Sequence, residues 1–225
     1  TSAERFWAAG VSLVLHPNNP HVPIVHMNVR HFALSDGTSW FGGGIDLTPH
    51  YVNPAEATTF HRTLKAACDR HDCADYERFK AEADRYFFVP HRNETRGVGG
   101  IFFDHLGRDG ASDVQWEQHK ALIMDVGATF LLAYLPLMQF NVDRPFTEAE
   151  RDWQLHRRGR YVEFNLVWDR GTRFGLVSNG RTESILMSLP PEVKWTYALQ
   201  PGASESDTLE WLKQGVDWAG TPTKV

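Results

Sequence analysis

A histidine, an amide and an arginine recur at every second position of one short segment. His26, Asn28 and Arg30 alternate with Val25, Met27 and Val29 between Ile24 and Phe32. Side chains two residues apart on a strand share a face, so an acid/base imidazole, a neutral amide and a bidentate anion clamp stand together, opposite an apolar set. A strand face turned to solvent normally carries Thr, Lys or Glu; this one reads as part of a binding surface. Downstream, Gly42-Gly43-Gly44 precede Asp46. Missing side chains there let another backbone or a flat ligand approach closely, while Asp46, read on its own, is a cap on the turn before Thr48-Pro49.

Anion recognition beside apolar and aromatic surface recurs elsewhere. Arg30, Arg92, Arg96, Arg170 and Arg181 each sit next to glycine-rich or turn positions, where a guanidinium can reach a ligand carboxylate without a crowded backbone. Arg157, Arg158, Arg160, Arg170, Arg173 and Arg181 crowd one part of the chain. Each of these is either half of a structural ion pair, part of a solvated basic face, or a clamp for a flat, polyanionic ligand. Phosphate-cradling loops, dinucleotide fingerprints, nucleophile elbows and HExxH are all absent, which withdraws support from nucleotide, serine-hydrolase and common zinc-protease chemistry. Eleven histidines raise the question of a metal. His16, His26, His61 and His91 lack close ligand spacing, and His26 and His31 fall on opposite sides of their strand, so no metal is expected.

The elements that position these residues alternate irregularly. Val11 to Leu15, Ile24 to Phe32 and Phe41 to Leu47 read as strands. Asn53-Pro54-Ala55-Glu56 opens a helix running to about Cys68, with Phe60 and Leu64 inward. A second helix covers roughly Ala74 to Tyr86, and a central strand follows Gly97 to Gly100 through Phe103. Helices are predicted at Ser112 to Tyr134 and from the capping box Thr147-Glu148-Ala149-Glu150 to Arg157. Beyond it, Val162, Phe164, Leu166 and Trp168 alternate with Tyr161, Glu163, Asn165 and Asp169, which predicts a strand returning through Asp169-Arg170-Gly171 as a second strand, Arg173 to Val177. Glu183 to Leu189 adds an apolar segment. Without a regular strand–helix rhythm, the expectation is an α+β fold, a large mostly antiparallel sheet covered by helices on both faces, as a single domain over residues 1–225. Trp40, Phe102, Phe103, Phe164, Trp168 and Phe174 are the expected core aromatics.

The net charge of −5 argues against a nucleic-acid partner. Only Cys68 and Cys73 are present, which fits a reducing compartment. The apolar runs read as too short to cross a bilayer, and Thr1 to Gly10 lacks a signal-peptide pattern.

Several strings, in order, resemble the oxygen-dependent coproporphyrinogen III oxidases. They are His16-Pro17-Asn18-Asn19-Pro20, Val25 to Arg30, Trp40 to Pro49, His91 to Asp104, Gly159 to Leu166, Asp169 to Thr172, and Gly180 to Pro191. The resemblance covers nearly the whole chain and starts downstream of a further N-terminal portion that the family usually carries. It implies removal of two propionates of coproporphyrinogen III as carbon dioxide, leaving vinyl groups, with molecular oxygen becoming hydrogen peroxide and no organic cofactor. It implies His26 as proton donor, Asp46 as the carboxylate that engages the pyrrole nitrogens, and Ser12, Asn28, Val29, Arg30, Asn179, Gly180 and Arg181 as substrate-binding positions; Arg96 and Arg181 are added as clamps. It further implies a homodimer with an interface from about residue 161 to 196, and work in the cytoplasm or, alternatively, in mitochondria. A protein that binds a tetrapyrrole without oxidising it, and a metal-dependent oxygenase built on the four histidines, are the competing readings.

Overall fold

A computed structural model describes residues 5–108 and 110–225. Its framework is a four-stranded antiparallel sheet in the order β1-β2-β3-β6, formed by β1 (Phe6–Leu15), β2 (Ile24–Leu34), β3 (Ser39–Thr48) and β6 (Gly99–Leu106). Between β3 and β6 lie α1 (Pro54–Cys68), α2 (Tyr76–Tyr86) and a two-stranded ribbon of β4 (Phe88–Val89) and β5 (Glu94–Thr95). After β6 come α3 (Asp113–Asn141), α4 (Glu148–Val167), α5 (Arg170–Val177), α6 (Thr182–Leu186) and α7 (Ala203–Trp211).

The alternation in β2 sorts its faces as expected. Val25 and Met27 enter a core with Phe41, Ile45 and Leu47 of β3. Over that face lie α1, through Phe60 and Leu64, and α3, through Leu122, Val126 and Phe130. α2 packs along β6, where the rings of Phe79 and Phe103 are 4.7 Å apart. The C-terminal residues Leu212, Val216 and Trp218 close the same core. Facing the opposite side of the sheet stand α4, α5 and α6, and a cavity lies between.

Local signals explain most of the boundaries. Asn53 caps α1 by accepting from Ala55 N, with Pro54 at the first helical position. Thr147 and Glu150 cap each other reciprocally at the start of α4. Gly44 and Gly100 are demanded by neighbouring backbone: a Cβ there would sit 2.3 Å from Ile101 O and 2.0 Å from Ile45 O.

The structure departs from the sequence reading in its second half. Residues 161–167 of the expected strand continue α4, with Trp168 as its C-cap, because a capped helix that meets no Pro propagates through them. The residues it buries, Trp153, Arg157, Tyr161, Phe164 and Asn165, follow helical spacing, whereas Leu166 and Trp168, assigned to a buried strand face, are exposed. The expected hairpin is α5, with Asp169 as N-cap accepting from Thr172 N at 2.7 Å; the apolar segment after it is α6. The sheet has four antiparallel strands within the expected single-domain α+β fold, and β6 is an edge strand shielded by α2, not a central one. Of the expected core aromatics, Phe103 and Phe164 are buried, Trp40 and Phe102 half-buried, and Trp168 and Phe174 exposed. α3 runs past Tyr134 and through Pro136, since Leu137 and Asn141 still have burial to gain. By length and hydropathy this helix is long and apolar enough to cross a membrane, contrary to the reading of short apolar runs, although 44% of its most apolar stretch is buried inside the fold.

Three histidines are held neutral by burial, which pulls His16 to about 4 and His50 and His61 to about 3. His61 suits that state: Nε2 donates to Val98 O at 3.0 Å and Nδ1 accepts from the Tyr76 hydroxyl at 2.9 Å. In the unfolded chain these rings titrate near 6.5. Below that pH the unfolded state binds protons that the folded state excludes, so stability falls as pH drops toward about 4. Unfolding at about pH 5 should take up about three protons through these groups, read as the slope of urea-unfolding free energy against pH. A flat profile from about pH 7 to 5 would contradict this account.

Candidate active site

The antiparallel register brings the polar positions of three strands to one place. Ser12 pairs with Asn28, His26 with Asp46, Asn28 with Gly44, and Arg30 with Gly42. Directly paired residues share a face, so Ser12, His26, Asn28, Arg30 and Asp46 form one polar floor interrupted by glycine. That floor and residues from α4, α5 and α6 enclose a cavity of about 600 Å³, within the usual size range of small-molecule sites.

Asp46 is the centre of this floor. It is 2% exposed, and each carboxylate oxygen has a cationic or imidazole partner. His26 Nδ1 lies 2.8 Å from Oδ1, and Arg96 Nη2 donates to Oδ2 at 2.6 Å. Burial alone would raise the Asp46 pKa; the Arg96 guanidinium and the His26 hydrogen bond outweigh it and hold the carboxyl below the ordinary aspartate range. An ionised carboxylate makes His26 Nδ1 the protonated nitrogen, so Nε2 is the ring position that can exchange a proton with a ligand. Arg96 itself is 3% exposed. Its Nη1 donates to Asn165 Oδ1 at 2.9 Å, and its guanidinium lies 4.3, 4.4 and 4.9 Å from the ring centroids of Phe87, Tyr161 and Phe164. Such a cage keeps water from the ion pair and strengthens it.

Arg30 occupies the other end of the floor, half-exposed, and donates through Nη1 to Asn28 Oδ1 at 2.7 Å. Of the positions anticipated, the structure brings Ser12, His26, Asn28, Arg30, Asp46 and Arg96 to the cavity. Val29 turns its side chain to the core face. Asn179, Gly180 and Arg181 stand exposed in the connection between α5 and α6, outside the residues lining the cavity, because the segment is a bend between two helices, with Asn179 at φ 60°.

Most of the crowded arginines have partners within the chain. Arg92 and Arg160 bind Glu163, Arg157 binds Glu94, Arg158 donates to Pro17 O, and Arg170 lies over the Tyr86 ring. The four histidines are dispersed likewise: His16 Nε2 donates to Ser188 O at 2.8 Å, His61 is sealed in the core, and His91 meets Glu163. Among the cavity residues that the sequence did not single out are Tyr86, Tyr161, Asn165 and Asp169. The i, i+4 spacing of 161 and 165 is the signal that a helical reading would have caught, and Asp169 follows as the cap of the next helix. Tyr86 donates to Asp169 Oδ1 at 2.7 Å, and burial together with that carboxylate pushes its hydroxyl up to about 12.

A family model described as coproporphyrinogen III oxidase matches residues 1–218 of this chain.

Removing one partner of the sealed ion pair leaves a buried charge. Arg96→Gln should lower the unfolding free energy by about 3 kcal/mol or more, and adding Asp46→Asn should recover part of that loss. Urea unfolding of the two single variants and the double variant checks this; strictly additive losses would mean that the two charges are uncoupled.

Proposed function

Because the chain belongs to the coproporphyrinogen III oxidase family, an oxidoreductase family of porphyrin biosynthesis, we propose that it carries out the oxygen-dependent reaction. Two propionates of coproporphyrinogen III are converted to vinyl groups, giving protoporphyrinogen IX. Each conversion consumes one O2 and one proton: the propionate loses its carboxylate as CO2 and a further hydrogen from the side chain, and O2 leaves as H2O2. No organic cofactor is needed to balance this step.

What supports the reading is the ionised Asp46 carboxylate, bonded to His26, on the floor of a cavity large enough for a substantial ligand. Each carboxylate oxygen has two acceptor sites. With one taken by His26 and one by Arg96, Asp46 retains acceptor capacity for the pyrrole N–H groups of a porphyrinogen. Those hydrogen bonds make the macrocycle richer in electrons and more readily oxidised. His26, opposite Asp46 in the sheet register, is the proton donor in this scheme: protonated at both ring nitrogens, it stays bonded to Asp46 through Nδ1 and supplies the reduced oxygen from Nε2. Ser12, Asn28 and Arg30 lie along the same floor to take a propionate, Arg30 as the charge-assisted clamp. Arg96, sealed beneath Asp46, acts on the carboxylate rather than on the ligand.

The chain acts in this proposal as a homodimer through residues 161–196. Leu166, Val167, Trp168, Phe174, Leu176, Val177 and Trp195 are exposed along that segment, and this density of exposed large apolar side chains favours a protein partner. We place it in the cytoplasm, where the two free thiols, Cys68 with its pKa pushed up to about 12 by burial, would remain reduced.

Asp46→Asn preserves the shape of the site while removing its charge and should lower turnover by about 10²-fold or more. Arg30→Ala should act chiefly by raising KM. Oxygen uptake and peroxide release on addition of coproporphyrinogen III measure both and separate an oxidase from a protein that only binds the tetrapyrrole. A wild-type rate in Asp46→Asn overturns the assignment.

A further inference from the structure

The pairing of β3 with β6 is regular from Leu47 opposite Gly99 to Gly43 opposite Phe103, then slips, so that Phe41 faces Leu106. One extra residue is thereby inserted in β6 opposite Gly42. The residue that absorbs it is His105, at φ 58°, a conformation disfavoured for a residue with a side chain. The consequence is specific. Asp104, two residues after Phe102, keeps by alternation to the side of the sheet that bears Arg30, while Leu106, which would otherwise follow it there, returns to the core.

Asp104 Oδ2 lies 3.0 Å from Arg30 Nη2. Gly42 is what admits this contact: a Cβ at that position would fall 2.6 Å from Asp104 Oδ1 and 2.8 Å from Arg30 Nη2. With Asn28 on Nη1 and Asp104 on Nη2, a half-exposed arginine that would otherwise sample several rotamers is held by both terminal nitrogens. The bulge ends regular pairing next to this contact, as bulges beside active sites commonly do. The bulge itself buries Leu106, whereas the Asp104 contact serves the guanidinium.

We propose that Asp104 is a positioning residue for carboxylate recognition: across the gap at Gly42, where regular pairing ends at the bulge, it orients Arg30 toward a propionate of the bound tetrapyrrole. This rests on the functional reading above. Arg30 bridges Asp104 and the ligand carboxylate, since its guanidinium has donors for both. The effect of Asp104 is therefore exerted through Arg30 and disappears when Arg30 is removed.

The test is binding of coproporphyrin III, the oxidised and fluorescent tetracarboxylate, followed by quenching in the wild type and in Asp104→Ala, Asp104→Asn, Gly42→Ala, Arg30→Ala and the Arg30→Ala/Asp104→Ala double variant. Asp104→Ala should weaken binding about tenfold. Asp104→Asn, which keeps an acceptor oxygen, should recover part of the loss. Gly42→Ala, which dislodges the pair by a separate route and touches only flexible side-chain ends, should resemble Asp104→Ala. The double variant should bind no worse than Arg30→Ala alone. Wild-type or tighter binding in Asp104→Ala, or additive losses in the double variant, overturns the proposal while leaving the functional reading intact. Failure of the wild-type chain to bind coproporphyrin III at all overturns the functional reading and the proposal with it.

Discussion

A buried carboxylate must be neutralised, protonated or paired, and the architecture around the cavity follows from the choice of pairing Asp46 with Arg96. Both groups are 3% exposed at the side chain, so neither can fall back on water. The chain reaches this arrangement by routing the segment before β6 beneath the end of β3. There the Arg96 backbone N–H donates to Phe87 O and that of Val98 to Leu47 O. The route also leaves no room for a side chain at Gly97, where a Cβ would meet Leu47 O at 2.2 Å. The rings of Phe87, Tyr161 and Phe164 then close over the guanidinium. A buried ion pair is weak evidence of a device for stability, since apolar residues of similar shape often serve that purpose as well or better. Its presence in a cavity, with one carboxylate partner being an imidazole, is what functional sites do.

The sheet divides the work between its faces. One carries Val25, Met27, Phe41, Ile45 and Leu47 into the core under α1 and α3; the other carries polar groups and glycine toward the cavity. Strand register does the rest, because antiparallel pairing sets His26 opposite Asp46 and Ser12 opposite Asn28 without any loop having to hold them. A site on paired strands is more rigid than one on loops. The helical wall above it is fastened differently, by Tyr86 to Asp169 at one end and by His16 to the Ser188 carbonyl at the other.

The first half of the fold was legible because its signals were local and agreed with one another. In β2 the alternation matched the burial of Val25 and Met27 against the more open His26 and Asn28, and Asn53-Pro54 marked the start of α1 to the residue. Most of the floor was legible for the same reason. The second half misled because Val162, Phe164, Leu166 and Trp168 happen to alternate within a helix whose buried stripe also includes Tyr161 and Asn165. A period of two and a period of 3.6 agree over short stretches, and the capping box at Thr147 was the stronger signal. That misreading concealed Tyr161 and Asn165 as cavity residues. Arg96 was singled out for its neighbourhood, yet nothing local to it indicates that it is sealed against Asp46, fifty positions away; such a contact belongs to the tertiary fold alone. The bulge at His105 is equally invisible in sequence, since neither Asp104-His105 nor Gly42 announces a register slip.

The claim on which the rest depends is that Asp46 is a carboxylate, not a carboxylic acid, throughout the working pH range. Its titration can be followed directly by carbon NMR in protein labelled at the aspartate carboxyl carbons, with the Asp46 signal assigned by difference against Asp46→Asn. The signal should keep its ionised position as pH is lowered to 3.8, the ordinary aspartate value, and move only below it. A carboxyl that takes up its proton above that value would contradict the account.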